Sequence, residues 1–280
     1  MKTNLNFRNS CEILSTMSSE NAKFEVLEWK ELKGGESFNS SIMTYFMKES
    51  EIKLKALKIQ INNSSVKLEA GALHYLKGNI EMTSKMGGLK GLGKKMFNSS
   101  VTKETVMKPV YTGTGEIYTE PTFGHFALIE LENEEIIVDD GIFYASEGNI
   151  EVGSVMQKNL SSALLGNEGL FQTKINGSGV VALEIPVPES EIIKININNE
   201  TLKVDGNIAL LRTGKIDFTV EKSSKSLISS ATSGEGFLNV FRGTGEIWLA
   251  PTQSIYDRLE LFGLSGMTNP GGSSNTKTKK

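Results

Sequence analysis

Short alternations of apolar and polar residues recur along the chain and are typical of β-strands with one buried face. Ile59-Gln60-Ile61 and residues 194–198 alternate in this way, which is the period of a half-buried strand. Asparagines lie where hairpin turns are needed, at Asn62-Asn63, Asn133 and Asn198-Asn199, and asparagine suits turns because it tolerates a positive φ. Patterns with a helical period are scarce. The chain is therefore predicted to be all-β.

The alternating runs belong to a longer pattern that occurs three times. Residues 61–71, 131–141 and 197–207 read INNSSVKLEAG, LENEEIIVDDG and INNETLKVDGN, and their starts lie 131 − 61 = 70 and 197 − 131 = 66 residues apart. A Gly-x-Ile block and then a Gly-x-Gly block follow each copy in the same order. Three ordered copies indicate tandem duplication. We predict three tandem β-sandwich-like repeats of roughly 65 residues in a pseudo-threefold arrangement.

The repeats divide the chain into segments. A lead-in strand and the first repeat are expected at residues 24–122, with a basic insert at 85–108; the second repeat is expected at 123–187 and the third at 188–263. Residues 1–23 are polar and are expected to form a mobile arm or an added strand. Residues 264–280 are rich in Gly, Ser, Asn, Thr and Lys. Such a composition buries too little apolar surface to fold, so we expect a disordered tail.

Composition narrows the classes of protein. The formal net charge is −3, with 30 Lys and Arg against 33 Asp and Glu, whereas affinity for nucleic acid needs a basic surface. Cys11 is the only cysteine, which excludes an intrachain disulfide and favours a reducing compartment. No run of 18 apolar residues and no signal-peptide apolar run is found. We expect a cytoplasmic protein that is at most peripheral to a membrane.

Several blocks carry a resemblance to a known family. They are residues 69–73 (EAGAL), 78–82 (GNIEM), the loop from Gly87 to Phe97, residues 169–171 (GLF), and the late GTGE and LAP runs at 243–246 and 249–251. In this order they resemble the bacterial and mitochondrial family named after altered inheritance of mitochondria protein 24, over roughly residues 24–255. The resemblance implies three β units, each similar to the tryptophan RNA-binding attenuator subunit. It implies no defined activity, and it links mitochondrial members to inner-membrane organisation.

The residues suited to catalysis do not form a recognisable constellation. His74 and His125 lie in different copies, without a second histidine, cysteine or carboxylate at metal-ligand spacing. Glu116 and Glu246 recur at one repeat position but are 130 residues apart, and we interpret them as solvent-facing strand residues. No nucleophile elbow, phosphate-binding loop or Cys-x-x-Cys is present. We therefore predict that the protein is not an enzyme and that it uses no metal or cofactor.

The insert in the first repeat is the most informative local feature. Residues 85–108 hold six lysines and one acid, a net charge of +5, whereas residues 130–140 hold six acids and no base. A segment that is basic and apolar together is typical of contact with an anionic membrane or a partner, although a loop packed against a neighbouring copy would have the same composition. The predicted contact residues are Leu89, Lys90, Leu92, Lys94, Lys95, Met96 and Phe97.

We accordingly expect a non-enzymatic scaffold or assembly protein that uses this basic apolar loop. Its partner would be an anionic membrane surface or another protein, and the contrast between the +5 and acidic segments favours self-association by electrostatic docking. The alternative is a binding module that holds a small molecule or RNA between repeats, with nucleic acid the less favoured ligand.

Overall fold

The computed structural model of the chain describes residues 11–83, 108–157, 170–222 and 237–262. Within these residues strands dominate, which confirms the all-β prediction, and two α-helices accompany them. The strands are β1 Cys11–Ser18, β2 Ala22–Trp29, β3 Lys55–Leu68, β4 Leu73–Thr83, β5 Val110–Thr119, β6 His125–Val138, β7 Phe143–Glu147, β8 Glu151–Gln157, β9 Leu170–Ile185, β10 Ile193–Asp205, β11 Ala209–Thr213, β12 Lys215–Lys222 and β13 Phe237–Leu249. The helices are α1 Phe38–Glu49 and α2 Gln253–Phe262, and Glu189–Glu191 form a 3-10 turn.

The chain divides into two compact units, of which the first comprises Met1–Val155 and Phe171–Ile185. Its strands pair antiparallel in the order β1–β2–β3, and β3 continues on to β5 and then β4. The C-terminal end of β3 also pairs with β7, which pairs with β9, and β9 pairs with β6. The long strand β3 therefore joins two groups of strands within this unit.

The alternating pattern of β2 and β3 produces the core of the first unit. Phe24 and Val26 on β2, and Leu57 and Ile59 on β3, are fully buried on one face of the sheet. The residues between them face the opposite side, because successive side chains of a strand alternate. Glu25 and Lys58 lie opposite one another on that second face, which is where the candidate site is found.

The second unit comprises Met156–Leu170 and Pro186–Lys280. Strand β13 is central: β10 pairs along one side of it, and β11 and β12 pair with it as well. Its core includes Ile197, Phe218, Phe241 and Ile247. After β13 the chain turns into α2, whose Tyr256 hydroxyl donates to the Glu191 carboxylate at 2.9 Å.

The same strand irregularity occurs at three places related by the sequence repeat. Asn63, Asn133 and Asn199 have φ of 47°, 58° and 55°, a left-handed conformation that asparagine tolerates better than most residues. In each case the backbone N–H donates to a hydroxyl on the facing strand, at 2.8 Å to Thr114, 2.8 Å to Ser178 and 2.9 Å to Thr244. The asparagines predicted for turns therefore form bulges within β3, β6 and β10, where the pairing register shifts.

The polar N-terminal arm forms a strand, and a helix that was not predicted follows β2. Residues 11–18 of the arm form strand β1, the added-strand alternative, while residues 1–10 and the tail 264–280 lie outside the described residues. The expectation that helical pattern is scarce missed α1, because its apolar residues were not separated from the surrounding strand signals. Phe38, Ile42 and Phe46 recur every four residues, which is a helical spacing.

Candidate functional site

Helix α1 begins with a local capping structure that needs no tertiary support. The Ser37 hydroxyl accepts from the Ser40 backbone N–H at 3.1 Å, and the Ser40 hydroxyl accepts from the Ser37 backbone N–H at 3.0 Å. This reciprocal capping box satisfies two of the backbone donors that a helix leaves unpaired at its start. Lys48 lies in the last turn, where a positive charge is favoured by the helix dipole.

The apolar side chains of α1 face away from the rest of the first unit. The helix has no buried residue, and the exposed fractions of Phe38 and Phe46 are 81% and 61%. Ile42, Met43 and Tyr45 are exposed as well. On a helical wheel Phe38, Ile42, Tyr45 and Phe46 fall on one face, because they are spaced by three or four residues. A continuous apolar face of this kind marks a contact with a partner or a membrane.

A few contacts hold α1 to the first unit. Thr44 and Met47 are half-buried and line a small cleft of about 160 Å³ together with Trp29 and Leu32. Lys48 pairs with the Glu31 carboxylate at 2.9 Å. The helix is therefore attached on the side of Thr44, Met47 and Lys48, and this attachment keeps Phe38, Ile42, Tyr45 and Phe46 directed outward.

The outer face of the first unit's sheet carries a charged row that crosses four strands. Strand register places Glu25, Lys58, Tyr118 and Tyr75 opposite one another in sequence across β2, β3, β5 and β4. The neighbouring row contains Lys23, Gln60, Glu116 and Lys77 in the same strand order. Side chains two residues apart on a strand share a face, so the two rows form one connected surface.

Ion pairs connect these rows. The buried Glu25 carboxylate contacts Lys23 at 2.5 Å and Lys58 at 3.5 Å. Lys58 also contacts Glu116 at 3.2 Å, and Glu116 accepts from the Gln60 amide at 3.0 Å. A buried carboxylate needs such partners, because an unpaired buried charge is strongly destabilising.

This network shifts the pKa values of several of its side chains. The hydrogen bond from Gln60, with the nearby Lys58 ammonium, holds the pKa of the Glu116 carboxyl below its usual value. Burial opposes the charge of Lys58 most strongly, but the hydrogen bond to Glu116 and the charges of Glu116 and Glu25 together outweigh it and raise the pKa of Lys58. Burial raises the pKa of the Tyr118 hydroxyl. Lys58 and Glu116 are therefore charged at neutral pH.

Beside the charged row lies a cleft of about 350 Å³ with aromatic walls. Tyr75 stacks on Tyr118 with ring centroids 4.4 Å apart and planes 16° from parallel. Leu27, Trp29 and Ala56 form an apolar part of the lining. Tyr75 is half-exposed, and its ring also meets the His74 ring edge-to-face, with centroids 5.5 Å apart. The cleft is formed entirely by residues of the N-terminal arm and the first predicted repeat, whereas the sequence predicted binding sites between repeats.

The second unit contains a related arrangement. Lys194 lies over the Trp248 ring at 4.0 Å from the centroid, and the Trp248 indole N–H donates to Glu246 at 2.7 Å. In the first unit Lys58 lies 5.7 Å from the Tyr118 centroid, and the Tyr118 hydroxyl donates to Glu116 at 3.3 Å. Both glutamates were predicted to be solvent-facing strand residues. Each contacts the aromatic residue two positions later, Tyr118 or Trp248, and these contacts were not predicted.

The seven predicted contact residues at 89–97 lie outside the described residues. Lys108, at the end of the same insert, is described: its ammonium pairs with the Glu69 carboxylate and lies 5.3 Å from the Phe143 ring centroid. Of the acidic segment, Glu130 and Glu132 are exposed on β6, and Glu135 pairs with Lys174.

The two histidines lie on different strands, β4 and β6. His74 Nδ1 lies 3.3 Å from the Glu120 carboxylate on the rim of the cleft, and His125 begins β6. Within residues 11–83, 108–157, 170–222 and 237–262, no group of three or more His, Cys, Asp or Glu side chains is arranged to hold a metal ion. No helix in the same ranges is long and apolar enough to cross a bilayer.

Comparison with known proteins places the chain in a family. The chain is 27% identical over 196 residues to an uncharacterised protein of Streptococcus pyogenes serotype M6, covering 67% of this chain and 77% of that protein. Its fold is similar to the crystal structure of a Streptococcus pyogenes protein from a structural genomics programme, with a TM-score of 0.55 at 22% identity, covering 75% of this chain and 94% of the other. The family described as "Mitochondrial biogenesis AIM24" matches residues 46–252. The chain therefore belongs to the AIM24 family.

Proposed function

We propose that this protein is a non-enzymatic scaffold that lies on the cytoplasmic surface of a membrane. The observation that carries the proposal is the outward-facing apolar side of α1, on which Phe38, Ile42 and Phe46 are exposed. A capped helix held on the side of Thr44, Met47 and Lys48 presents its exposed apolar side to the bilayer interface, as interfacial amphipathic helices do. The scaffold is built on three tandem β units in pseudo-threefold arrangement, and the three equivalent bulges at Asn63, Asn133 and Asn199 support that organisation.

The chemistry of α1 favours a lipid interface over a charged partner. Its only charged residues are Lys48 and Glu49, so the helix has no net charge, and its polar positions are otherwise Asn, Ser and Thr. Full burial of one Phe or Ile side chain contributes about 1.5–3 kcal/mol, so half-insertion of three such side chains contributes about 3 kcal/mol. That is too little for stable attachment, because weak anchors need a second signal.

The basic insert predicted from the sequence supplies that second signal in this proposal. Lys90, Lys94 and Lys95 are interspersed with Leu89, Leu92, Met96 and Phe97. Each lysine near an anionic surface contributes about 1 kcal/mol, and this contribution is screened by salt. Attachment is thus expected to have one component that depends on apolar area and another that depends on ionic strength.

Co-sedimentation with liposomes tests both components. We expect the wild type to bind anionic vesicles, and Lys90→Glu/Lys94→Glu/Lys95→Glu to lose the part of binding that falls with added salt. Ile42→Ser/Phe46→Ser should lose the part that persists at high salt. The matched control is Leu14→Ser/Met82→Ser, which removes two exposed apolar side chains elsewhere. Absence of binding to every vesicle at low salt would overturn the membrane proposal.

A second function, small-molecule binding, is favoured by the cleft beside Tyr75. An exposed tyrosine stacked on another offers a platform for a planar ring, and Lys58 lies next to it. Because Trp29 lines the cleft, its fluorescence in a Trp248→Phe background should respond to salicylate, a small aromatic anion. Tyr75→Ala should abolish the response. An unchanged emission spectrum at millimolar salicylate would exclude this class of ligand.

A further inference from the structure

The end of strand β3 covers strand β7, and we call this pairing the β3–β7 joint. Val66, Lys67 and Leu68 pair antiparallel with Glu147, Ser146 and Ala145. Backbone hydrogen bonds of 2.7 Å flank the pairing, from Glu69 N–H to the Tyr144 carbonyl and from Gly148 N–H to the Ser65 carbonyl. All five residues of β7 are buried as a result.

Strand β4 is the counterpart of β7 but lacks this cover. Residues 73–77 pair with β5 in the register, and with the bulge, that residues 143–147 show with β9. Both segments continue as Gly-Asn-Ile. Among the strands that the structure describes, β4 pairs only with β5. Tyr75 and Leu76 are 52% and 37% exposed, whereas their counterparts Ala145 and Ser146 are fully buried.

Strand β10 is the counterpart of the β3 half of the β3–β7 joint. Its residues Leu202-Lys203-Val204 match Val66-Lys67-Leu68, with a lysine between two apolar residues in both. Within the described part of the chain, β10 pairs only with β13, and Lys203 is exposed. In the β3–β7 joint, the Lys67 ammonium donates to the Ile150 carbonyl. By the offset of the repeats, Lys203 is the counterpart of Lys67 and Ile80 is the counterpart of Ile150.

We propose that β10 of one molecule docks antiparallel onto β4 of a second copy of this chain, in the arrangement of the β3–β7 joint. Leu202 then lies opposite Lys77, Lys203 opposite Leu76, and Val204 opposite Tyr75. Charge supports this register, because Glu200 falls diagonal to Lys77. Backbone pairing along an exposed edge provides the affinity, as in strand addition.

The contact joins two different surfaces, so each molecule has one donor end and one acceptor edge. Such a heterologous contact forms rings or open filaments. The inference deepens the proposed scaffold role, because it identifies the partner as a second copy of this chain. The purpose of the assembly rests on that role, whereas the contact itself does not. The two are distinguishable, because assembly is measured without vesicles and vesicle binding is measured with the assembly variants.

Engineered disulfides test the register. The flanking hydrogen bonds make the position of Lys77 opposite Leu202 a non-hydrogen-bonded pair, with Cα atoms about 4.5 Å apart, within the range that a disulfide spans. In a Cys11→Ser background, Lys77→Cys and Leu202→Cys chains are purified separately and mixed under mild oxidation. The mixture should form a covalent dimer on a non-reducing gel, and neither variant alone should do so. The control mixture pairs Lys77→Cys with Lys194→Cys, far along β10, and should not cross-link.

Two cross-linking results would overturn the proposal. A dimer from Lys77→Cys alone would indicate pairing between two β4 edges. A variant that carries both Lys77→Cys and Leu202→Cys in one chain is also oxidised, and a cross-link within that chain would place the contact inside the molecule.

As a second measurement, sedimentation velocity should show assembly of the wild type and its loss in Leu76→Pro. Proline there removes an N–H directed away from β5, so β4 itself is retained. A wild type that stays monomeric at high concentration also refutes the proposal.

Discussion

Lys194 Nζ lies 4.0 Å from the centroid of the Trp248 ring, on strands that pair these two residues directly. The indole N–H of Trp248 donates to Glu246, so the ring is held in place on one edge while its face contacts the ammonium. The equivalent positions of the first unit hold Lys58, Tyr118 and Glu116. One pattern of lysine, aromatic ring and carboxylate therefore recurs on β3–β5 and on β10–β13.

The cation–π contact of Lys194 is expected to stabilise the second unit. Lys194→Gln keeps much of the side chain but removes its charge, and should lower the free energy of unfolding by about 0.5–1 kcal/mol, the range for exposed cation–π contacts. Urea denaturation followed by Trp248 fluorescence in a Trp29→Phe background measures this. Lys215→Gln, an exposed lysine of β12, is the control and should leave the midpoint unchanged. Equal effects of both substitutions would contradict a specific contact.

The bulge at Asn199 should depend on backbone conformation more than on side-chain contacts. Its φ is 55°, and a left-handed conformation costs a non-glycine residue about 1–2 kcal/mol. Asn199→Ala should therefore destabilise the second unit by about 1 kcal/mol, while Asn199→Gly should cost less or nothing. The same urea assay separates the two, and if Asn199→Gly is as destabilising as Asn199→Ala, the conformational explanation fails.

A second prediction at the bulge concerns the hydroxyl that fixes it. Thr244→Val removes the acceptor of the Asn199 N–H while keeping the shape of the side chain, and should cost about 1 kcal/mol.

The sequence predicted the strands well because their signals are local, whereas the asparagines predicted for turns form bulges within strands. Alternation assigns Ile59 to the core face and Gln60 to the other face, and Asn199 identifies a positive φ from residue type alone. The predicted all-β class and the family depend on many such positions, so a single misassignment does little harm. Whether the basic insert contacts a membrane stays a prediction, since residues 89–97 lie outside the described residues.

The candidate site was harder to predict because strand register creates it. Glu25, Lys58 and Tyr118 lie far apart in sequence and meet only when β2, β3 and β5 pair in one register. Helix α1 was missed for another reason: its apolar residues were not separated from the surrounding strand signals. The one available signal was the spacing of Phe38, Ile42 and Phe46 after a Ser-x-x-Ser cap.

Lys55 should be a site where loss of charge increases stability. The residue is buried, its ammonium is 3.9 Å from Glu28, and burial lowers its pKa. Replacing a buried, imperfectly paired charge by an apolar side chain of similar size is often stabilising, here by about 1 kcal/mol for Lys55→Met. Glu28 keeps Lys53 at 3.0 Å as its partner. The control is Lys53→Met, at a more exposed lysine, which should be neutral or slightly destabilising. Thermal denaturation distinguishes the two variants. A lower melting temperature for Lys55→Met would show that the Glu28 contact outweighs desolvation.

Glu116 should make part of the stability of the first unit depend on pH. Its pKa is lowered in the folded state by the hydrogen bond from Gln60 and by Lys58, so the folded protein binds the proton at this site less readily than the unfolded chain does. The stabilisation is therefore fully present above the unfolded pKa of about 4.3, and is lost as pH falls through the folded pKa.

Glu116→Gln should lower the free energy of unfolding at pH 7, and its difference from the wild type should shrink toward pH 3. Glu81→Gln removes a carboxylate from the exposed strand β4 of the same sheet and should give a profile parallel to the wild type. Urea denaturation followed by Trp29 fluorescence, in a Trp248→Phe background across that pH range, decides the matter: a constant difference between wild type and Glu116→Gln would mean that the carboxylate acts through shape and not through its charge.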